Sequence, residues 1–214
     1  MSDLLVVHSS PRGEESESRK LAAAFLDAYG EAEIDTLDLW AESLPVFGGD
    51  HVAAKMAVIG GVEHEGRVRT AWDEIVEVVD RFKAADQYLF VVPQWNHSVP
   101  WVLKQYIDTI TQPGLTFGFD GELGYIGLVE GKRAVVLHTS AIWPTFGDNP
   151  APDYVEKWLA LIGITDVASV RFGANLLDPS PGDARARAVS EAAALGRALA
   201  AARRPAPRAL HASR

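Results

Sequence analysis

Three short runs of unbroken apolar residues constrain this chain more than any other feature. They are Leu4–Val7, Tyr88–Val92 and Ala134–Leu137, and each runs directly into polar loop residues. A strand with one wet face alternates apolar and polar residues. A run that is apolar at every position needs cover on both faces, as in a parallel sheet between layers of helices. The intervening segments supply those helices. Leu21, Phe25 and Ala28 recur at helical spacing, as do Trp72, Ile75, Val76 and Val79. Leu103, Tyr106, Ile107 and Ile110 form a third stripe, and Val155, Trp158, Leu159 and Ile162 a fourth. Glu33–Asp38 predicts a strand near an edge, Thr165–Phe172 a further strand, and Asp183–Arg203 an Ala-rich helix. Gly30 is the expected stop of the first helix, and Pro100 the expected first position of the helix carrying Leu103. The order is β-α repeated five times, an α/β domain over residues 1–203 with a flexible tail at 204–214. Residues 41–68 contain Pro45, Gly48, Gly49, Gly60 and Gly61 and predict a long loop, of the kind that serves as a lid. Residues 113–131 are glycine-rich and carry Phe117, Phe119 and Tyr125.

Composition removes several chemistries. The chain has no cysteine, which excludes thiolate catalysis, disulfides, iron–sulfur clusters and Cys-zinc sites. Its formal net charge of -9 argues against a nucleic-acid or anionic-membrane partner and is the ordinary charge of a well-solvated protein. No stretch approaches the roughly 18 apolar residues of a membrane span. The start, MSDLLVVHSSPRG, places an acidic residue before a short apolar run, unlike a secretion signal, so the cytoplasm is the expected location.

In parallel α/β sheets, ligands bind outside the carboxyl ends of the strands, where the strand order reverses. Three strand exits therefore matter. The first, HSSPRGEESESRK, offers the hydroxyls of Ser10, Ser16 and Ser18, the cation of Arg12, and the free N–H groups of a helix start. Those features suit a phosphate monoester. They equally suit an ordinary helix cap by Ser16 or Ser18, and Glu14, Glu15 and Glu17 oppose a bound dianion. The turn lacks G-x-G-x-x-G, so it is no dinucleotide fingerprint. The second exit, Pro93-Gln94-Trp95-Asn96-His97, is rich in flat side chains and amides. Trp95 can stack on a planar ring, and Asn96 can read a ring edge that both donates and accepts. The bland alternative is a rigid, Pro-bracketed loop whose Trp packs on the domain. The third exit, Thr139-Ser140-Ala141-Ile142-Trp143, can close the other side. A phosphate at the first exit and a flat polar-edged ring at the others describe FMN.

The chain resembles the FMN-dependent NADH azoreductases, which are also NADH:quinone oxidoreductases. The resemblance spans about residues 3–200 and rests on VVHSSPRGEESESRKL, VVPQWNHSVPWVLKQYIDTITQPGLTFGF, GLVEGKRAVVLHTS and WLALIGITDV. It implies a flavodoxin-like three-layer sandwich with a five-stranded parallel sheet in the order 2-1-3-4-5. It implies that FMN phosphate lies on Ser10, Arg12, Ser16, Glu17 and Ser18. The flavin ring would lie on Pro93, Gln94, Trp95, Asn96 and His97, closed by Thr139, Ser140, Ala141, Ile142 and Trp143. It further implies ping-pong transfer of two electrons from NADH or NADPH to quinones or azo compounds, in a homodimer with interface sites. Phe117, Phe119 and Leu161 would line the substrate side. Where the family usually reads Met-Tyr-Asn-Phe this chain reads Gln-Trp-Asn-His, and Ser-Ala-Ile-Trp replaces Ser-Arg-Gly-Gly, so an altered substrate wall is expected.

Asn96 and His97 are the candidate catalytic residues, beside the ring or the substrate. His97 is the nearby group able to donate a proton near neutral pH, or else it simply replaces an aromatic wall. His8 and His138 sit at strand exits and read as structural histidines, with no metal site expected. Two other functions stay open at this point: a flavodoxin-like electron carrier, and a phosphodiesterase or other hydrolase. No G-x-S-x-G elbow supports the last.

Overall fold

A computed structural model describes residues 2–141, 150–173 and 182–203. A parallel five-stranded sheet is assembled from β1 (Leu4–His8), β2 (Ile34–Asp38), β3 (Gln87–Pro93), β6 (Arg133–Ser140) and β7 (Asp166–Gly173), in the order β2-β1-β3-β6-β7. The helices are α1 (Glu17–Tyr29), α2 (Gly49–Ile59), α3 (Gly66–Ala84), α4 (Trp101–Ile110), α5 (Pro150–Leu161) and α6 (Gly182–Ala201). A two-stranded antiparallel hairpin, β4 (Phe117–Asp120) with β5 (Gly124–Gly127), stands apart from the sheet. With the hairpin strands set aside, this is the expected order 2-1-3-4-5.

The unbroken apolar runs behave as their pattern demands. Alternate residues of one strand enter different cores because side chains alternate across the sheet. Leu4 and Val6 of β1 pack with Leu21 and Phe25 of α1 and Ala188 and Ala192 of α6. Leu5 and Val7 pack with Ile75 and Val79 of α3, Leu103 of α4 and Leu159 of α5. β2, an edge strand, buries only Leu37, in keeping with its mixed sequence.

The expected loop at 41–68 is corrected. It contains α2 and the first turn of α3. Val52, Met56 and Ile59 do recur at helical spacing, but all three are exposed, and Ala54 is the buried residue of α2. The surrounding glycines punctuate the helix rather than abolish it. Pro100 stands one residue earlier than expected, at the cap of α4, where its carbonyl accepts from the N–H of Lys104 at 3.1 Å. The tail from residue 204 lies outside the described residues.

The strand order also locates the crevice. From β1 the chain crosses to β2 on one side and later to β3 on the other, so the order reverses between β1 and β3. That is the switch point at which open α/β sheets bind ligands.

Candidate functional site

At the first exit, Ser9 closes β1 onto β3. Its N–H and its hydroxyl both donate to the Val91 carbonyl, at 3.2 and 2.9 Å. The chain then makes one 3-10 turn, Gly13–Glu15, before α1. Ser16 occupies the cap position of α1, yet its hydroxyl makes no capping hydrogen bond. Ser16 Oγ instead lies 2.9 Å from Ser18 Oγ. The helix start therefore keeps its positive dipole end and its first-turn N–H groups without a carboxylate or hydroxyl from the cap. Ser10, Ser16 and Ser18 are all buried. Ser16 is therefore not an ordinary side-chain helix cap.

Glu17 does not face a bound anion with a free charge. Arg185 of α6 donates to its carboxylate at 2.7 Å and Lys20 at 2.9 Å. Burial opposes ionisation, but these two cations outweigh it and hold the carboxyl below its ordinary range. Arg12 is solvent-exposed and loosely paired with Glu15 at 3.8 Å.

At the second exit, Gln94 N–H donates to the Thr139 carbonyl at 2.7 Å, tying the ends of β3 and β6 together. Trp95 and Ser98 exchange N–H···O hydrogen bonds of 2.9 and 2.8 Å. Between them Asn96 and His97 have φ of 49° and 61°. Two consecutive left-handed residues inside such a pair make a tight primed hairpin turn, for which Asn-Gly is the favoured sequence. Asn and His both enter this region more readily than most side chains do, but each pays there a steric cost that Gly does not. His97→Gly is therefore expected to stabilise the protein by about 1 kcal/mol. Thermal denaturation checks this; a lowered midpoint would show that the His97 side chain contributes more than its backbone costs.

The three exits converge. A cleft of about 140 Å³ is lined by Ser10, Arg12, Ser16 and Glu17 from the first, Pro93, Gln94 and Trp95 from the second, and Thr139, Ser140 and Ala141 from the third. Ser18 stands behind Ser16. Asn96 opens instead onto a neighbouring cleft of about 680 Å³, which shares Trp95 and is walled by Phe47, Val99 and Trp101. His97 is exposed at the turn tip. Ile142 and Trp143 lie outside the described residues. Phe119 is 73% exposed on the β4–β5 hairpin, and Leu161 borders a separate cleft beside Trp158. Phe117 sits against the Lys55 ammonium at 5.6 Å, so within one chain none of these three reaches the three-exit cleft.

Burial lowers the His8 pKa to about 4, aided by the Arg19 charge and opposed by Asp38. Burial, then the Arg171 charge, lowers that of His138 to about 4. Both imidazoles stay neutral at physiological pH. Among the described residues no group of three or more His, Asp or Glu is placed to hold a metal ion, and no helix is long and apolar enough to cross a membrane.

Sequence reasoning missed Trp40. It follows β2, and its indole N–H donates to the Ser9 carbonyl at 3.0 Å while its ring lies 5.7 Å from that of Trp95. An aromatic residue at a fourth strand exit was the available signal.

Comparison with known proteins agrees with this geometry. A family model described as flavodoxin-like fold matches residues 2–195. An FMN-dependent NADH:quinone oxidoreductase of Ruegeria pomeroyi is 43% identical over 204 residues, covering 90% of this chain and 100% of the relative. A protein of the same description from Desulfotalea psychrophila is 39% identical over 186 residues, covering 83% and 88%. A solved FMN-dependent NADH-azoreductase of Bacillus anthracis, in complex with FMN, superposes with a TM-score of 0.81 at 25% identity, covering 94% of this chain and 100% of that one.

Proposed function

We propose that this chain, which belongs to the flavodoxin-like fold family, is an FMN-dependent oxidoreductase that passes two electrons from NADH to quinones or azo compounds. The observation that carries the reading is one cleft at the strand-order switch, where a helix start without a side-chain cap meets an aromatic, amide-bearing wall. The residues fit the cofactor. Ser10, Ser16 and the first N–H groups of α1 would hold the phosphate, with Ser18 steadying the Ser16 hydroxyl from behind, and Gln94, Trp95 and the Thr139–Ala141 segment would flank the ring. When bound, FMN supplies the two-electron chemistry, taking hydride from the nicotinamide and yielding electrons to the acceptor.

The chain's own residues position and shield. Paired Glu17 adds no net repulsion to the phosphate. The Trp95–Ser98 hairpin turn holds Asn96 at the rim with its amide free to meet a ring edge or substrate. One site then serves donor and acceptor in turn, which makes the kinetics ping-pong. A second copy of the chain would bring Phe117, Phe119 and Leu161 to the substrate side; the exposure of Phe119 and Leu161 in the single chain supports this. Residues 1–203 are read as one FMN-binding unit, working in the cytoplasm.

Oxidation of NADH with menadione as acceptor, with and without added FMN, tests the activity. FMN-dependent turnover is expected; FMN binding without NADH turnover would make the protein an electron carrier instead. Asn96→Gly keeps the left-handed backbone and removes only the amide side chain. It is expected to lower kcat/KM roughly tenfold, the effect of about one hydrogen bond. Unchanged kinetics would remove Asn96 from the site.

A further inference from the structure

The link between the phosphate seat and the ring wall is carried by a residue outside both. Trp40 follows β2, and its backbone N–H donates to Asp38 Oδ1 at 3.1 Å. Asp38 also pairs with the Arg19 guanidinium. Arg19 in turn donates to the Ser10 carbonyl at 3.2 Å, and the Trp40 indole N–H to the Ser9 carbonyl at 3.0 Å. Two consecutive carbonyls of the first exit loop are thus held by donors outside the three-exit cleft. A carbonyl oxygen is the negative end of its peptide dipole and would repel a phosphate. In a trans peptide the N–H lies opposite the C=O, so fixing the Ser9 carbonyl on Trp40 turns the Ser10 N–H the other way. Ser10 itself lines the cleft.

The other face of Trp40 reaches the ring wall. Its ring lies 5.7 Å from Trp95, tilted by 45°, and 5.6 Å from Trp101, nearly edge-on at 83°. Aromatic pairs at such separations hold one another's orientation. Trp95 is the residue that both clefts share. Trp40 therefore touches the first exit through a hydrogen bond and the second through ring packing, while its own backbone is pinned by Asp38.

We propose that Trp40 is a positioning residue with two separable tasks: its indole N–H orients the phosphate loop, and its ring orients Trp95 against the flavin. This rests on the reading of the cleft as an FMN site. The two tasks predict different responses to two ligands, FMN and riboflavin, which share a ring but differ in the phosphate.

The test is fluorescence titration of the apoprotein with FMN and with riboflavin, in wild type, Trp40→Phe and Trp40→Leu. Trp40→Phe keeps a ring beside Trp95 and removes the N–H. Its FMN dissociation constant should rise roughly five- to tenfold, the effect of one hydrogen bond, with riboflavin affinity within about twofold of wild type. Trp40→Leu should weaken both ligands, because Trp95 then loses its aromatic neighbour. Should Trp40→Leu fail to fold, Trp40→Met tests the ring task in its place, and unchanged riboflavin affinity in either of these two variants overturns that task. If Trp40→Phe keeps the wild-type ratio of FMN to riboflavin affinity, whether both fall together or neither does, the proposal is overturned. A wild-type protein that binds neither ligand overturns the FMN reading itself, a different result from either.

Discussion

Ser16→Asp is expected to weaken FMN binding by at least roughly 30-fold while leaving the fold about as stable as before. Asp is as good a helix cap as Ser, and its carboxylate favours the positive end of α1 by about 0.3–1 kcal/mol. The native Ser16 hydroxyl makes no capping bond, and its 2.9 Å partner, the Ser18 hydroxyl, can donate to an Asp carboxylate in its place. The ligand meets the opposite situation. A fixed carboxylate about 4 Å from a phosphate oxyanion costs about 4 kcal/mol per charge pair at an effective dielectric of about 20. Even with half of that screened, about 2 kcal/mol remains, and FMN affinity should fall at least roughly 30-fold. Riboflavin, which has no phosphate, should be far less affected. Isothermal titration of both ligands, with thermal denaturation of the apoprotein, measures all three quantities. An FMN affinity within about threefold of wild type would place the phosphate elsewhere.

The second large effect concerns the hairpin that carries Phe117 and Phe119. A Cβ added at Gly127 would stand 2.1 Å from the backbone nitrogen of Gly163 and 2.4 Å from its Cα. Neither neighbour is a side-chain end that could swing aside. The hairpin cannot slide away either, because Leu128 N–H is bonded to the Thr116 carbonyl at 2.9 Å and Val129 N–H to the Ile162 carbonyl at 2.8 Å. Gly127→Ala should therefore cost about 3 kcal/mol, the upper end of ordinary overpacking. In a domain of this size that lowers the melting midpoint by about 6–12 °C. Gly121→Ala is the control, since a Cβ there meets nothing within 4 Å. A loss below about 1 kcal/mol in Gly127→Ala would mean that the hairpin is not locked to the α5–β7 turn.

What could be read from the residues beforehand follows from how local each signal is. β1, β3 and β6 were legible because an unbroken apolar run reports burial on both faces without reference to distant residues. The three exits followed from the strands, and most of the proposed binding residues do meet in one cleft. The remainder depended on partners remote in sequence. Glu17 looked repulsive beside a phosphate because Arg185, which neutralises it, lies 168 residues away. The turn at Asn96-His97 was hidden because His stands where a primed turn usually has Gly. Helix α2 was hidden because glycines flank it and its evenly spaced apolar residues face solvent. Trp40 gave no periodic signal at all; its role depends on one indole N–H reaching a carbonyl 31 residues earlier.

The apoprotein should take up FMN in the three-exit cleft and expose it there to NADH. The most direct measurement loads the apoprotein with FMN, removes free flavin by gel filtration, and records the visible spectrum before and after anaerobic NADH and then menadione. A yellow flavin spectrum should elute with the protein, bleach on adding NADH and return on adding menadione. A colourless protein fraction, or a bound flavin that NADH leaves unbleached, would contradict the account.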